Sequence, residues 1–483
     1  MSFALLLVPS LLSALLALVV RPYRAAVGWA NAALSLVAVA GAITLWVRVL
    51  RGEVPVAGAD GLLRADALST LLALCVSGVA ALAAWLGPGL GDDGWGARQA
   101  RRFRIFANLF AFTMLFAVTT DNVGFMWVAI EATTITSAVL IPLHASKASV
   151  EASWKYVLIG SVGIALAFAG TVLAYFDFVT LIGREAVALN WTVLQDAAPA
   201  LNPRVIRLAF VFILIGYGTK AGLAPMHTWL PDAHSEAPPA LSAMMSGVLL
   251  AVALYAVVRW QAVVRVTVGT GFAEDVIVLL GVLSLAIGAL SLVAQRSYKR
   301  LLAYSSIEHT GLICVGLALG PLGVFAAMLH LLNHSVAKSM MFLLAGRVLR
   351  RYGTAEIEGV SGLLRVMPWT GGFFAAGMLA VIGLPPFGMF VSEFALVRAG
   401  FAAGRPVLVA VVLMLLAVGF VGVLVHLNRM LYGRPPSTVT LGESSRWALV
   451  PLGGCLVALV VLGLTLPAAI DGLLVRIVAI VAP

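Results

Sequence analysis

Charged side chains are scarce in this sequence. Only 11% of its 483 residues are Asp, Glu, Lys or Arg, against 62% that are hydrophobic. An ordinary soluble domain carries about 25% charged residues. A water-soluble fold of this length is therefore excluded, because its surface could not be solvated. Cysteine is rarer still. Cys75, Cys314 and Cys455 stand apart in apolar segments, and no CxxC pair exists to hold an iron–sulfur cluster or a structural zinc. No cofactor is expected in this chain, so in a redox complex the electrons would travel elsewhere. There is no P-loop, no GxSxG elbow and no GxGxxG after a strand, hence no evident catalytic centre. No basic stripe is interleaved with stacking aromatics, so the net charge of +10 does not signal a nucleic-acid partner. The arginines sit in short clusters between apolar runs, where they act as topology signals.

What the sequence has in quantity is apolar run length. Stretches of roughly 20 residues, enough to cross a bilayer, recur throughout. We place about fourteen spans, at 2–20, 26–48, 66–87, 104–119, 122–143, 153–176, 205–224, 238–260, 273–294, 301–318, 320–346, 368–397, 404–430 and 447–477. The fold class is all-α: a polytopic protein of a bacterial or archaeal cell membrane. Its hydrophilic connections leave no room for a soluble domain. Residues 177–204 form the longest connection, read as irregular. Met1 to Val20 lacks a basic stretch ahead of its apolar run, and Arg21-Pro22-Tyr23-Arg24 comes after it. That segment reads as a retained first span rather than a signal peptide. Basic residues concentrate after odd-numbered spans: Arg21 and Arg24; Arg98, Arg101, Arg102 and Arg104; Lys147 and Lys155; Arg296, Lys299 and Arg300; Arg347, Arg350, Arg351 and Arg365; Arg429, Arg434 and Arg446. The positive-inside rule makes these connections cytoplasmic and turns both termini outward.

Two spans contain helix breakers. The seventh reads Gly216-Tyr217-Gly218-Thr219-Lys220-Ala221-Gly222-Leu223-Ala224-Pro225, and the twelfth Gly383-Leu384-Pro385-Pro386-Phe387-Gly388. Proline removes a backbone donor and clashes with the preceding turn. Such backbone survives in a bilayer only where protein or water satisfies it, and paired broken helices mark inverted-repeat transporters. The two breaks lie five spans apart, an odd offset that inverts one unit against the other. The organisation expected is N-terminal helices over 1–103, two inverted five-helix repeats over 104–260 and 272–430, and a C-terminal helix over 447–483. Two unrelated proline kinks are the simpler alternative.

Only five lysines occur, and Lys220 and Lys338 lie inside apolar stretches. A charge at the bilayer centre costs roughly 2.5–3.5 kcal/mol on the insertion scale, so each needs a reason. Glu131 sits midway along the fifth span and Lys220 just before the break in the seventh. Burial favours the neutral form of each, and proximity favours the charged forms again. A Glu–Lys pair of variable separation could therefore bind and release a proton; a static buried pair is the alternative. His330, His334 and Lys338 recur at i, i+4, i+8 and share one helix face. Histidine exchanges protons near neutral pH through two ring nitrogens, so this face suits a proton wire. A metal site there is not expected, since no carboxylate or cysteine completes it on that face. Glu308 and His309 continue the polar path on the tenth span, whose Lys299 and Arg300 are expected to anchor at the surface by snorkelling. Glu393, beyond the second break, is the terminal acid. His227 and His234 flank Asp232 in a dense polar cluster with Glu236, whose spacing fits no zinc motif; it is read as the proton entrance.

The run Lys220-Ala221-Gly222-Leu223-Ala224-Pro225-Met226-His227-Thr228-Trp229-Leu230-Pro231-Asp232-Ala233-His234 resembles the most specific motif of the antiporter-like subunits of complex I, Mrp-type cation/proton antiporters and membrane-bound hydrogenases. Lys299-Arg300-Leu301-Leu302-Ala303-Tyr304-Ser305-Ser306 and Gly383-Leu384-Pro385-Pro386-Phe387-Gly388 also match, in order. Ile307-Glu308-His309 and His330-Leu331-Leu332-Asn333-His334-Ser335-Val336-Ala337-Lys338 look like the hydrogenase-4 component F branch. The likeness covers roughly residues 100–430. It implies a proton-translocating subunit, with sodium as the other candidate cargo. It implies other membrane subunits and a soluble hydrogenase or NADH-dehydrogenase-like module as partners. Glu131 and Lys220 would be the coupled pair, Lys338 with its histidines the central relay, and Glu393 the exit-side group. Complex I relatives often carry a lysine in the eighth span, whereas Gly247 to Tyr255 here is apolar; His309 or water is expected to fill the gap. No long lateral helix of the kind in the largest complex I antiporter subunit is seen after the last span. A subunit that docks a soluble enzyme without conducting ions is the contrasting reading.

Overall fold

The computed structural model describes residues 1–90, 95–183, 189–443 and 446–482. The chain forms α1 (Ser2–Val19), α2 (Ala25–Leu50), a small antiparallel ribbon of β1 (Val56–Ala57) and β2 (Leu63–Arg64), α3 (Ala67–Leu86), α4 (Ala97–Thr119), α5 (Val123–Ala138) and α6 (Lys147–Ile182). Next are α7 (Trp191–Ala197), α8 (Pro203–Lys220), α9 (Trp229–Glu236), α10 (Pro239–Met244) and α11 (Leu250–Val268), the last two joined by a π-helical turn over Met245–Leu249. Then come α12 (Phe272–Val293), α13 (Tyr298–Leu317), α14 (Gly320–Tyr352), α15 (Leu363–Val366), α16 (Pro368–Val381), α17 (Gly388–Ala402), α18 (Pro406–Leu431), α19 (Leu449–Leu464) and α20 (Ala468–Val481).

Local chemistry explains where these helices start and stop. Asp66, Asn122 and Ser146 accept hydrogen bonds from the backbone N–H groups of Ser69, Phe125 and Ser149, satisfying donors that a helix start leaves free. Pro203 and Pro406 open α8 and α18, where a missing N–H costs nothing. At the end of α3 the buried Arg104 donates to the carbonyls of Ala84, Gly87 and Pro88 at 2.7, 3.2 and 2.8 Å. Those carbonyls would otherwise lack a partner in an apolar interior.

Among the described residues, eight helices are long and apolar enough to cross a membrane, or nine if the bent pair α19–α20 is one span. The remaining helices within the sequence-derived spans are α5, α8, α13, α14, α16 and α17. They are short, broken or polar, and together they carry Glu131, Lys220, Glu308, His309, His330, His334, Lys338 and Glu393. The same polar groups that mark the site therefore mask the membrane character of its helices. Burial separates the two classes of apolar helix. The apolar window within Pro239–Val268 is wholly buried, whereas α2, α12 and α18 bury 28%, 39% and 33% of theirs. The outer helices expose Leu279, Leu290, Met414 and Val421 to the surroundings, as a lipid-facing flank requires.

Three expectations need correction. Residues 177–204 are not one irregular loop, because α6 runs on to Ile182 and α7 fills part of the remainder; Asp177 accepts a hydrogen bond from the Asn202 backbone at 2.7 Å and ties the two ends together. Residues 184–188 of that stretch lie outside the described residues. The last expected span, 447–477, is two helices meeting at 71°, since Pro467 cannot donate at the junction. Lys299 does not snorkel. It is 3% exposed and donates to the carbonyls of Ser235 and Ala237 at 2.5 and 2.9 Å, satisfying the end of α9.

Candidate functional site

The first cluster lies between α5, α6 and α8. A glycine seam brings α6 and α8 together: a side-chain carbon at Gly216 would stand 2.5 Å from the Ala167 backbone, and one at Gly163 2.6 Å from Thr219. Small residues of this kind let helix backbones approach closely in a membrane. The seam carries Lys220, the last residue of α8, to the side of α6. There Lys220 is fully buried. Its Nζ donates to the Thr134 hydroxyl at 2.7 Å and to the Tyr156 hydroxyl at 3.0 Å, and sits 4.7 Å from the centre of the Tyr156 ring. Thr134 in turn donates to Glu131 at 3.0 Å, and Ser161 donates to the other carboxylate oxygen at 3.0 Å. Glu131 and Lys220 thus do not touch; one hydroxyl bridges them. Ser137 and Tyr156 extend the network at 2.8 Å.

The second cluster lies between α13, α14 and α17. The i, i+4, i+8 row of α14 faces α13. Lys338 is fully buried and donates to the Leu302 carbonyl at 3.2 Å and to the Ser305 hydroxyl. His334 lies 5.6 Å from His309, ring centre to ring centre. His309 Nδ1 and His330 Nε2 are 3.1 Å apart, and His330 Nδ1 meets the Ser392 hydroxyl at 2.9 Å. Glu393 closes the row. Its carboxylate rests against Gly383 in the break between α16 and α17, where a side-chain carbon would collide with Oε2. Gly383 also has φ +70°, so both space and backbone favour glycine there. Glu308 is buried beside Gly419 of α18 and Gly288 of α12.

The polar run after the first break divides into separate environments. Asp232 pairs with Arg300 at 2.6 Å and with Lys155 at 3.2 Å. His227 is half-buried in the turn Met226–Thr228, with its Nδ1 unpartnered. His234 is fully buried and stacked on Phe342 at 4.7 Å, with neither ring nitrogen hydrogen-bonded. Among the described residues, the group of potential metal ligands is not this run but His309, His330 and Glu393.

His309 does not fill the gap left in the eighth span, because it turns toward α14 and α17. The π turn takes that place. Ser246 and Ser306 share a hydrogen bond of 2.7 Å. A side-chain carbon at Gly247 would lie 3.1 Å from the Ser339 hydroxyl and 3.2 Å from the Ser335 carbonyl, so any side chain there would press on its neighbours. Sequence reasoning missed the hydroxyls: Thr134, Tyr156, Ser161, Ser246, Ser305 and Ser392. Thr134 and Ser305 lie three residues from an acid on the same helix, a spacing that could have drawn notice. Tyr156 and Ser246 carry no such signal.

A family model described as NADH:quinone oxidoreductase/Mrp antiporter, TM, matches residues 120–419, which span both clusters. A hydrogenase-4 component F homolog of Methylacidiphilum infernorum is 40% identical over 325 residues, covering 67% of this chain and 68% of that protein. Hydrogenase-4 component B of Escherichia coli is 31% identical over 359 residues, 72% of this chain and 52% of that one. Among solved structures, a chain of the membrane-bound sulfane sulfur reductase, an archaeal respiratory membrane complex, superimposes with a TM-score of 0.89 at 25% identity, covering 99% of this chain and 97% of the other.

Proposed function

The chain belongs to the NADH:quinone oxidoreductase/Mrp antiporter family of membrane subunits, and we propose that within it this protein translocates protons in a redox-driven complex of the hydrogenase-4 type. The observation that carries this reading is the pair of buried clusters. Each holds a fully buried lysine hydrogen-bonded to a hydroxyl; in the first that hydroxyl reaches Glu131, and in the second the lysine shares its helix face with His330 and His334. Charged groups in such apolar surroundings are costly. Sodium is the less suitable cargo, since imidazole and ammonium groups dominate the central row and hard cations take oxygen ligands.

The organisation proposed is about fourteen spans with two inverted repeats. Neighbour relations support it: α4, α5, α6 and α8 pack in succession, and so do α12, α13, α14 and the α16–α17 pair. Glu131 on α5 and Glu308 on α13 then correspond, as do the two breaks. The basic connections face the cytoplasm, and both termini face outward. Other membrane subunits flank the chain, and a soluble redox module supplies the energy. One charge moved against 100 mV costs about 2.3 kcal/mol, which an isolated subunit cannot provide. Electron-carrying cofactors belong to the other subunits.

The test is proton uptake by the intact complex in sealed vesicles containing a pH-sensitive dye, driven by its electron donor. Lys220→Ala and Glu131→Ala are expected to abolish uptake while the complex still assembles. Undiminished uptake in either variant removes the proposed relay. A non-conducting docking subunit would leave uptake intact even with Lys220 and Lys338 both neutralised.

A further inference from the structure

We infer that His309, His330 and Glu393 form a binding site for a late divalent transition metal, represented by Zn²⁺, at which the ion blocks the relay. The blocking consequence rests on the translocation reading above; the binding itself does not. Three helices build the site: α13 supplies His309, α14 His330 and α17 Glu393. One ligand atom from each lies within 4.8 Å of the others. The α14 face alone lacks a carboxylate, and the second helix break delivers one from across the interface.

The geometry matches what such an ion needs. Two imidazole nitrogens already face each other at 3.1 Å. Ligands held at about 2.0–2.2 Å in a tetrahedral shell stand roughly 3.4 Å apart, so the histidine pair needs almost no adjustment. The carboxylate must close by about 1.5 Å at most to complete that shell, which a side-chain rotation of the partly exposed Glu393 supplies. The remote nitrogen of His330 is held by Ser392 at 2.9 Å. Metal-bound histidines are oriented in this way through the nitrogen that does not bind. Two imidazoles and one carboxylate suit zinc and its neighbours, whereas sodium, magnesium and calcium prefer all-oxygen shells. With three protein ligands, a fourth position is left for water or a further side chain. An ion there ties up the nitrogen of His309 that faces His330, the partner nitrogen and the terminal acid, so no proton can pass.

The test uses the whole complex in mild detergent, stripped with a chelator and titrated with Zn²⁺ alone. Bound metal is counted by mass spectrometry, and its shell is read by X-ray absorption. One ion per chain is expected, with two imidazoles at about 2.0–2.1 Å. His330→Gln and Glu393→Gln should each weaken binding at least tenfold, and Ser392→Ala by about tenfold. His144→Ala, on the surface away from the row, should change nothing. In vesicles, zinc should inhibit proton uptake over the concentrations that fill the site. Equal zinc binding by the His330→Gln and Glu393→Gln chains overturns the site. So does a wild-type shell with fewer than two imidazoles, a result that needs no variant to fold. Binding without inhibition overturns the block. A complex that binds zinc but moves no protons refutes the translocation reading alone, and one that moves protons but binds no zinc refutes the metal site alone.

Discussion

Thr134→Val is the sharpest perturbation that the first cluster offers. Valine keeps the shape and removes only the hydroxyl. In the native chain that hydroxyl accepts from Lys220 at 2.7 Å and donates to Glu131 at 3.0 Å, so it is the sole side-chain bridge described between them. The variant does not strip either charge bare. Lys220 keeps the Tyr156 hydroxyl at 3.0 Å, and Glu131 keeps Ser161 at 3.0 Å. Assembly is therefore expected to survive. What is lost is one hydrogen bond to a charged group on each side, and such a bond contributes about 1.5–3 kcal/mol. If one of them must be present for the proton to cross, the rate falls by roughly ten- to a hundredfold, at 1.36 kcal/mol per factor of ten. The assay is initial proton uptake by the reconstituted complex, normalised to the electron-transfer rate. Thr134→Ser restores the hydroxyl and is expected to recover most of the rate. A Thr134→Val complex that assembles and pumps at the wild-type rate refutes the hydroxyl bridge, whatever Lys220 and Glu131 do separately.

Further outcomes are expected from the structure. Lys338→Ala is expected to abolish uptake in the same vesicles, and Ser305→Ala to slow it, because Ser305 is the side chain that fixes the lysine head. Asp66 and Arg259 form an ion pair at 2.6 Å with both side chains almost wholly buried. Asp66→Asn should lower stability by about 3–5 kcal/mol, seen as a large fall in melting temperature, and replacing both partners with apolar residues should recover much of it. At the end of α14, burial pushes the Glu443 carboxyl up, but hydrogen bonds from Thr370 and Arg347 outweigh it and hold the group below the ordinary carboxylate range. A depressed carboxyl stabilises the fold above its ordinary pKa, and that contribution is lost as the pH falls through the native value. The melting temperature should therefore decline below about pH 4.3 in wild type and more weakly in Glu443→Gln.

Membrane helices, breaks and isolated charges were legible because each obeys one-dimensional rules. Apolar length betrays a span, a Gly-Pro cluster betrays a break, and Lys338 four residues from His334 betrays a face. The bend at Pro467 and the extension of α6 were not legible, since apolar composition does not distinguish a straight span from a bent one. Site partners were harder still. Tyr156 meets Lys220 where Gly163 and Gly216 let α6 and α8 close together, and Thr134 of α5 meets it beside Gly160; close approach has no signature beyond small residues that occur everywhere in this chain. Glu393 was recognised as an acid of the path but not as a neighbour of His309 and His330, because a helix break re-aims the helix beyond it in a direction that a one-dimensional pattern does not encode.

The middle of the molecule constrains how the two clusters can work together. The break after Lys220 brings Gly222 near Leu250, and one turn earlier Ser246 reaches Ser306, the residue next to the Ser305 that holds Lys338. That contact is made by serine hydroxyls among apolar groups, while α9, which packs on both α6 and α13, carries the buried His234 with neither ring nitrogen hydrogen-bonded. A hydroxyl can hand a proton on but cannot keep it, since neither its charged nor its doubly protonated form is stable near neutral pH. On the proposed path a proton would rest on Lys220 with Glu131, on Lys338 with its histidines, or on the buried His234 between the helices that carry them. A lysine in the eighth span would have added a further resting place, and at Gly247 even a side-chain carbon would press on the Ser339 hydroxyl and the Ser335 carbonyl. A lysine forced in at Ser246, one residue before that glycine, should trap the proton there and slow uptake, instead of improving a path that looks incomplete.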